Sequence, residues 1–127
     1  MDHKQRISKG FYQHTQKSDF VSVKNYIFLH QPNKQYLLIR FSNDSDFKIT
    51  AMEFVLLQLD ATGAILDRTT IKYNKMAVDP GREYVPTQGI RVNKNCCDFR
   101  IVYKQVRSDQ FCYRPCGNDL VVHSEWI

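Results

Sequence analysis

Ile49-Thr50-Ala51-Met52-Glu53-Phe54-Val55-Leu56-Leu57-Gln58-Leu59 is the most hydrophobic run of the chain, and Asp60-Ala61-Thr62-Gly63 stops it abruptly. A run of this length that is apolar on both sides reads as a central β-strand, covered on one face by an opposing sheet and on the other by neighbouring side chains or loops. Gly63 can adopt the positive φ of a tight reversal, so the strand is expected to fold back on an antiparallel partner, Ala64 to Tyr73. Asp67, Arg68, Thr69, Thr70 and Lys72 make that partner polar, which assigns it to an edge or an exposed face.

The same grammar extends in both directions. Upstream, a first strand is expected from about Asp19 to His30, with Val21, Val23, Ile27 and Leu29 sharing one parity and Lys24 on the other. Pro32-Asn33-Lys34 breaks it. A second strand, Gln35 to Ser42, places Leu37, Ile39 and Phe41 on one face, and Asn43-Asp44-Ser45-Asp46 supplies short polar side chains that hydrogen-bond a turn's own backbone. Downstream, Asp79-Pro80-Gly81 marks a reversal in which Pro presets φ and Gly completes the turn. A fifth strand, about Arg82 to Val92, carries Pro86 and Gly89 and so belongs at an edge or a bulge. Cys97, Phe99, Ile101 and Tyr103 alternate inward against Asp98, Arg100 and Lys104, and a last strand or broken pair fills Phe111 to Trp126, interrupted by Pro115-Cys116-Gly117-Asn118.

About seven strands with almost no helical periodicity specify an all-β fold, a two-layer antiparallel β-sandwich, with a small closed barrel as the alternative. The 127 residues, 43% of them hydrophobic, suffice for one domain whose core needs no metal or disulfide staple. Residues 1–18 lack periodicity and read as a mobile basic N-terminal arm, leaving 19–127 as the sandwich. No stretch approaches the roughly 18 apolar residues of a membrane span, and Met1-Asp2-His3-Lys4-Gln5-Arg6 leads into no signal region, so the chain is read as soluble and cytoplasmic.

Phe41-Ser42-Asn43-Asp44-Ser45, Ile49 to Asp60, Gly63, Asp79-Pro80-Gly81-Arg82 and Cys97 to Val106 resemble the strand-and-turn pattern of immunoglobulin-like and fibronectin type III-like sandwiches. They are particularly similar to bacterial all-β accessory domains in which a strand ends in Asp-x-x-Gly and a Pro-Gly turn precedes the later strands. An antibody-type domain would place a core Trp between two inter-sheet cysteines, whereas the single Trp here is Trp126. The resemblance implies a scaffold or binding module.

Chemistry-bearing residues are sparse. No phosphate-cradling glycine loop, nucleophile elbow or metalloprotease helix motif is present. Asp60, Asp79 and Asp109 sit at turns, where carboxylates cap backbone, and His30 ends a strand. Of four cysteines, Cys96 and Cys97 are adjacent and point to opposite faces, one inward and one outward. Cys112, Cys116 and His123, with Cys96 or Cys97, would make a tetrahedral zinc set, or a disulfide could join the two loop cysteines or link one of them to Cys97; free thiols are the expectation. A nucleophilic thiol in the Cys112–Cys116 loop, with His123 as base, is a third reading.

The expectation is therefore a non-catalytic module that acts through protein contacts and needs no cofactor or metal. Its partner would be another domain, another chain or a second copy pairing through an edge strand. Tyr84, Val85, Phe111 and Tyr113 are the candidate contacts, with core packing as the competing role. The alternative function is anion or nucleic-acid binding. The net charge of +5 comes from scattered basic residues, and Arg100, Lys104 and Arg107 would form a basic face with Arg91 if their strands are adjacent, helped by Lys4, Arg6, Lys9 and Lys17 of the arm.

Overall fold

The computed structural model describes residues 5–8, 20–115 and 122–126, and over these it is all-β. Ten strands are described: β1 (Gln5–Ser8), β2 (Val21–Gln31), β3 (Lys34–Asn43), β4 (Ile49–Leu59), β5 (Ile65–Tyr73), β6 (Glu83–Tyr84), β7 (Ile90–Val92), β8 (Asp98–Ser108), β9 (Phe111–Pro115) and β10 (Val122–Trp126). They form two antiparallel sheets. One runs β1-β2-β3 with β6 and β7 both on the far edge of β3, and the other runs β10-β9-β8-β4-β5. The excess over seven strands has local causes. The expected fifth strand divides into β6 and β7 around Pro86 and Gly89, because Pro cannot donate to the ladder and a Cβ at Gly89 would lie 3.1 and 3.2 Å from side-chain atoms of Tyr36 and Leu38, tighter than ordinary contact. The last segment is the pair β9 and β10, and β1 joins the edge of β2 with Ile7 opposite Ile27. The sequence places no strand before Asp19; the remaining residues of the N-terminal arm lie outside the described ones, as do 116–121.

Burial follows the pleat wherever the ladder is regular. On β3, Leu37, Ile39 and Phe41 are buried as expected, and β4 contributes Met52, Phe54 and Leu56 to the core and Leu57 to its other face. On β2 the expected parity fails halfway. Val21 and Val23 point inward, but the register slips between Val23 and Asn25, so Tyr26 and Phe28 enter the core while Ile27 and Leu29 turn to the outer face. Lys24 is the extra residue of a β-bulge, and a single unpaired residue exchanges the two faces of everything after it.

The core between the layers is aromatic. Tyr26 meets Phe99 edge-on at 4.6 Å, Phe41 lies 5.5 Å from Phe54, and Phe20 and Phe47 close one end against Phe111 at 4.6 and 4.8 Å. Edge-to-face pairs of this kind add to the burial of their own area.

Buried amides pin the chain where it crosses between sheets. Asn43, 2% exposed, donates from Nδ2 to the Phe47 and Val78 carbonyls, both at 2.8 Å, and its Oδ1 accepts from the Ser45 backbone N–H and hydroxyl at 2.9 and 2.6 Å. All of the amide's donor and acceptor capacity is used. This single side chain ties the β3–β4 crossover to the segment that carries β5 back to β6. At the opposite end, Gln35 donates to the Asn93 and Cys96 carbonyls at 3.1 and 2.8 Å, and Gln58 accepts from the Asn93 N–H at 2.6 Å. One glutamine from each sheet therefore holds the β7–β8 crossover. The expected turns form too: Gly63 and Gly81 have φ of 87° and 76°, and Asp60 Oδ1 accepts from Thr62 and Ala64.

Asn43→Ala strands the Ser45 N–H and takes one of two hydrogen bonds from each of the Phe47 and Val78 carbonyls, which keep the Ser45 hydroxyl and the Ile49 N–H, and is expected to cost about 2 kcal/mol in urea unfolding. Deleting Lys24 removes the bulge without changing the parity of Tyr26 and Phe28, and loses its exposed 3.7 Å ion pair with Glu83. It should cost less than about 1 kcal/mol, whereas deleting Ile27 drives Phe28 outward and should cost about 3 kcal/mol or more by the same measurement.

Candidate binding face

Two sheet edges lie on one side of the sandwich: β5, and the broken β6/β7 line. β5 is nine residues long with neither Pro nor Gly, and among the described residues nothing pairs its outer edge. Its pleat sorts its side chains: Arg68, Thr70 and Lys72 are exposed on the outer face, and Thr69, Ile71 and Tyr73 lean half-buried toward the core. Thr69 accepts a 3.0 Å hydrogen bond from Gln58, and the Tyr73 ring stands 5.3 Å from Tyr84 across the gap between the sheets.

At its other end the gap opens into a cleft of about 450 Å³, lined on the β5 side by Asp67 and Thr69 and on the facing side by Lys34, Arg91 and Lys94. These three cations are exposed, and none has a carboxylate within 4.0 Å among the described residues. Asp67 is turned on its own backbone, accepting from the Arg68 N–H at 2.8 Å. The cleft is therefore positive at one end, and the gap is apolar and aromatic at the other.

The candidate residues sort as follows. Tyr84 is half-buried at the aromatic end and Val85, which follows it, is 52% exposed. Arg91 stands at the basic end. Phe111 and Tyr113, at 2% and 0% exposure, are core residues, so their reading as surface contacts is corrected: both pack on Phe20. The face combining Arg91 with Arg100, Lys104 and Arg107 is corrected too, because Arg91 is on β7 of one sheet and the other three on β8 of the second. Those three are exposed; the ladder sets Arg100 and Arg68 on either side of Leu57, and Lys72 and Arg107 border a shallow hollow around Glu53. Sequence reasoning recognised β5 as an edge but missed Lys34, Arg68, Lys72 and Lys94. Lys34 opens β3 and Lys94 lies in the turn after β7, and only the fold brings them together.

No known protein family, curated protein or solved structure matches the chain.

The cysteines are dispersed. Cys97 adjoins the start of β8 and Cys112 pairs with Arg107 near its end, a separation of about 30 Å at a strand's rise per residue. That distance rules out a zinc set or a disulfide joining Cys112 to Cys96 or Cys97. Among the described residues no disulfide engages Cys96, Cys97 or Cys112, the first and last of which are buried, while Cys116 lies outside the described residues. Burial pushes the Cys96 thiol up from 9.0 to about 11, and its Sγ donates to the Asp98 carbonyl at 3.2 Å, an environment opposed to thiolate formation. Asp60 is lowered, first by the Thr62 hydroxyl and then by backbone N–H groups, as suits a turn cap.

Burial also raises Tyr73 from 10.0 to about 12, with Tyr84 adding to the effect. Below about pH 8 neither the folded nor the unfolded chain is appreciably ionised at Cys96 or Tyr73. Above it, the unfolded chain releases these protons first, so stability falls as pH rises from about 9 toward 12. The urea midpoint should drop between pH 8 and about pH 10.5, and drop less in Cys96→Ala.

Proposed function

We propose that the chain is a non-catalytic binding module of the immunoglobulin-like or fibronectin type III-like class, which takes an extended segment of a protein partner onto the open edge of β5. The strand order supports the class. Leaving aside β1 and β10, the first two strands and the β6/β7 line share one sheet, and β5, β4, β8 and β9 make the other, the division found in immunoglobulin-like sandwiches. The observation that carries the mode of action is the length of β5, whose one register shift, a bulge at Leu66, leaves Asp67–Tyr73 regular. The other described edges are short or interrupted, whereas β5 offers the regular run Asp67–Tyr73 with an unpaired outer edge beside a gap. Strand addition draws its affinity from main-chain hydrogen bonds and its selectivity from alternate side chains, and it needs no reactive group.

The exposed Arg100, Lys104 and Arg107, with Arg68 and Lys72 on the same outer face, favour a second reading as an anion or nucleic-acid surface. That face lacks an exposed aromatic ring on β4, β5 or β8 on which bases could stack, which ranks it second for single strands.

Peptides selected from a random library on the folded protein should slow amide hydrogen exchange across Ile65–Tyr73. Selected peptides that protect a different surface would refute the reading. A single-stranded oligonucleotide that binds without protecting β5, and loses affinity steeply with salt, would establish the second reading in its place.

A further inference from the structure

Resting on the β5-edge reading, we infer that the segment taken up is apolar at one end and acidic at the other, and that it lies antiparallel to β5 with its acidic end in the Lys34–Arg91–Lys94 cleft. Three observations on the two edges carry this. First, the cleft places three exposed cations without ion-pair partners among the described residues opposite Asp67 and Thr69, at the amino-terminal half of β5, where their positive fields add. Second, the carboxy-terminal half of β5 ends on the half-buried Tyr73, 5.3 Å from Tyr84, which offers aromatic surface to alternate residues of an added strand. Third, Arg68 and Lys72 stand on the outer face of β5, where the directly opposed residues of a new strand would be about 5 Å away and acidic side chains would be attracted.

The same charges disfavour a second copy as the occupant. A two-fold pairing centred on Thr70 sets Arg68 against Lys72 of the other molecule twice over, and one centred on Thr69 places Arg68 diagonal to its own mate. Like charges so placed destabilise a sheet. The cations that guard this edge against self-association are the ones that select an acidic guest. An antiparallel guest enters with its amino-terminal half beside Tyr73 and its carboxy-terminal half beside the cleft, the arrangement with the better hydrogen-bond geometry.

The test uses the full chain and two synthetic peptides: one with alternating valine and threonine followed by three glutamates, and the same peptide with three lysines instead. The glutamate peptide should bind, slow exchange across Ile65–Tyr73 and bind about tenfold more weakly in Arg91→Glu and in Lys34→Glu. The substituted residues are exposed, and unchanged urea midpoints of the variants would establish that they remain folded. Equal binding of both peptides with β5 protected would overturn the charge inference and leave the strand-addition reading standing. Binding without β5 protection, or β5 protection that arises only from dimerisation, would overturn both. An oligonucleotide that displaces the glutamate peptide from the cleft without itself protecting β5 would convert the cleft into a phosphate site and overturn the acidic-segment assignment.

Discussion

Two twisted sheets can share a core only if the chain passes between them without leaving backbone polar groups dry, and here amide side chains meet that constraint. Asn43 satisfies the β3–β4 crossover and the return from β5 in one place, with every donor and acceptor engaged. Gln35 and Gln58, one from each sheet, grip the β7–β8 crossover through Asn93. The aromatic core supplies cohesion but no direction, since apolar burial is indifferent to which carbonyl faces which. The amides supply the direction. They fix where each sheet ends, and so which edges are left facing one another across the gap beside β5.

That gap organises what the molecule offers to a partner. A closed barrel would have no edges at all; this fold leaves one side open, with a long unpaired strand on one sheet and a broken line on the other. The break at Pro86 and Gly89 interrupts the β6/β7 line, while like charges at Arg68 and Lys72 disfavour pairing of β5 with its own copies. The two edges are protected by different means, and only the second kind of protection admits a complementary guest.

Much of the architecture was legible because strand parity and turn chemistry are local. The run Ile49 to Leu59, the Asp60–Gly63 reversal, the Asp79–Gly81 turn and the edge character of β5 each rest on a few adjacent residues. The reading failed where one residue altered parity: nothing in Val23-Lys24-Asn25 announces a bulge, so Ile27 and Leu29 were assigned to the face that Tyr26 and Phe28 occupy. The candidate site was less legible. Tyr84 and Arg91 line the gap, but Phe111 and Tyr113 are core residues, because an aromatic on a strand reads the same from either side. Arg91 was matched to the wrong neighbours, since sequence proximity to β8 does not reveal that the chain changes sheets at Asn93.

The pairing of β4 with β8 has a consequence for how the molecule is made. Ile49 to Leu59 are complete well before Asp98 to Ser108 emerge from a ribosome, so the most apolar strand waits with one side unpaired while β5, β6 and β7 are synthesised. Such distant contacts slow folding, because the intervening chain must be ordered before the contact forms. During that interval the nascent chain presents a sticky template, making the delay before β8 docks the stage at which misassembly or chaperone capture is decided.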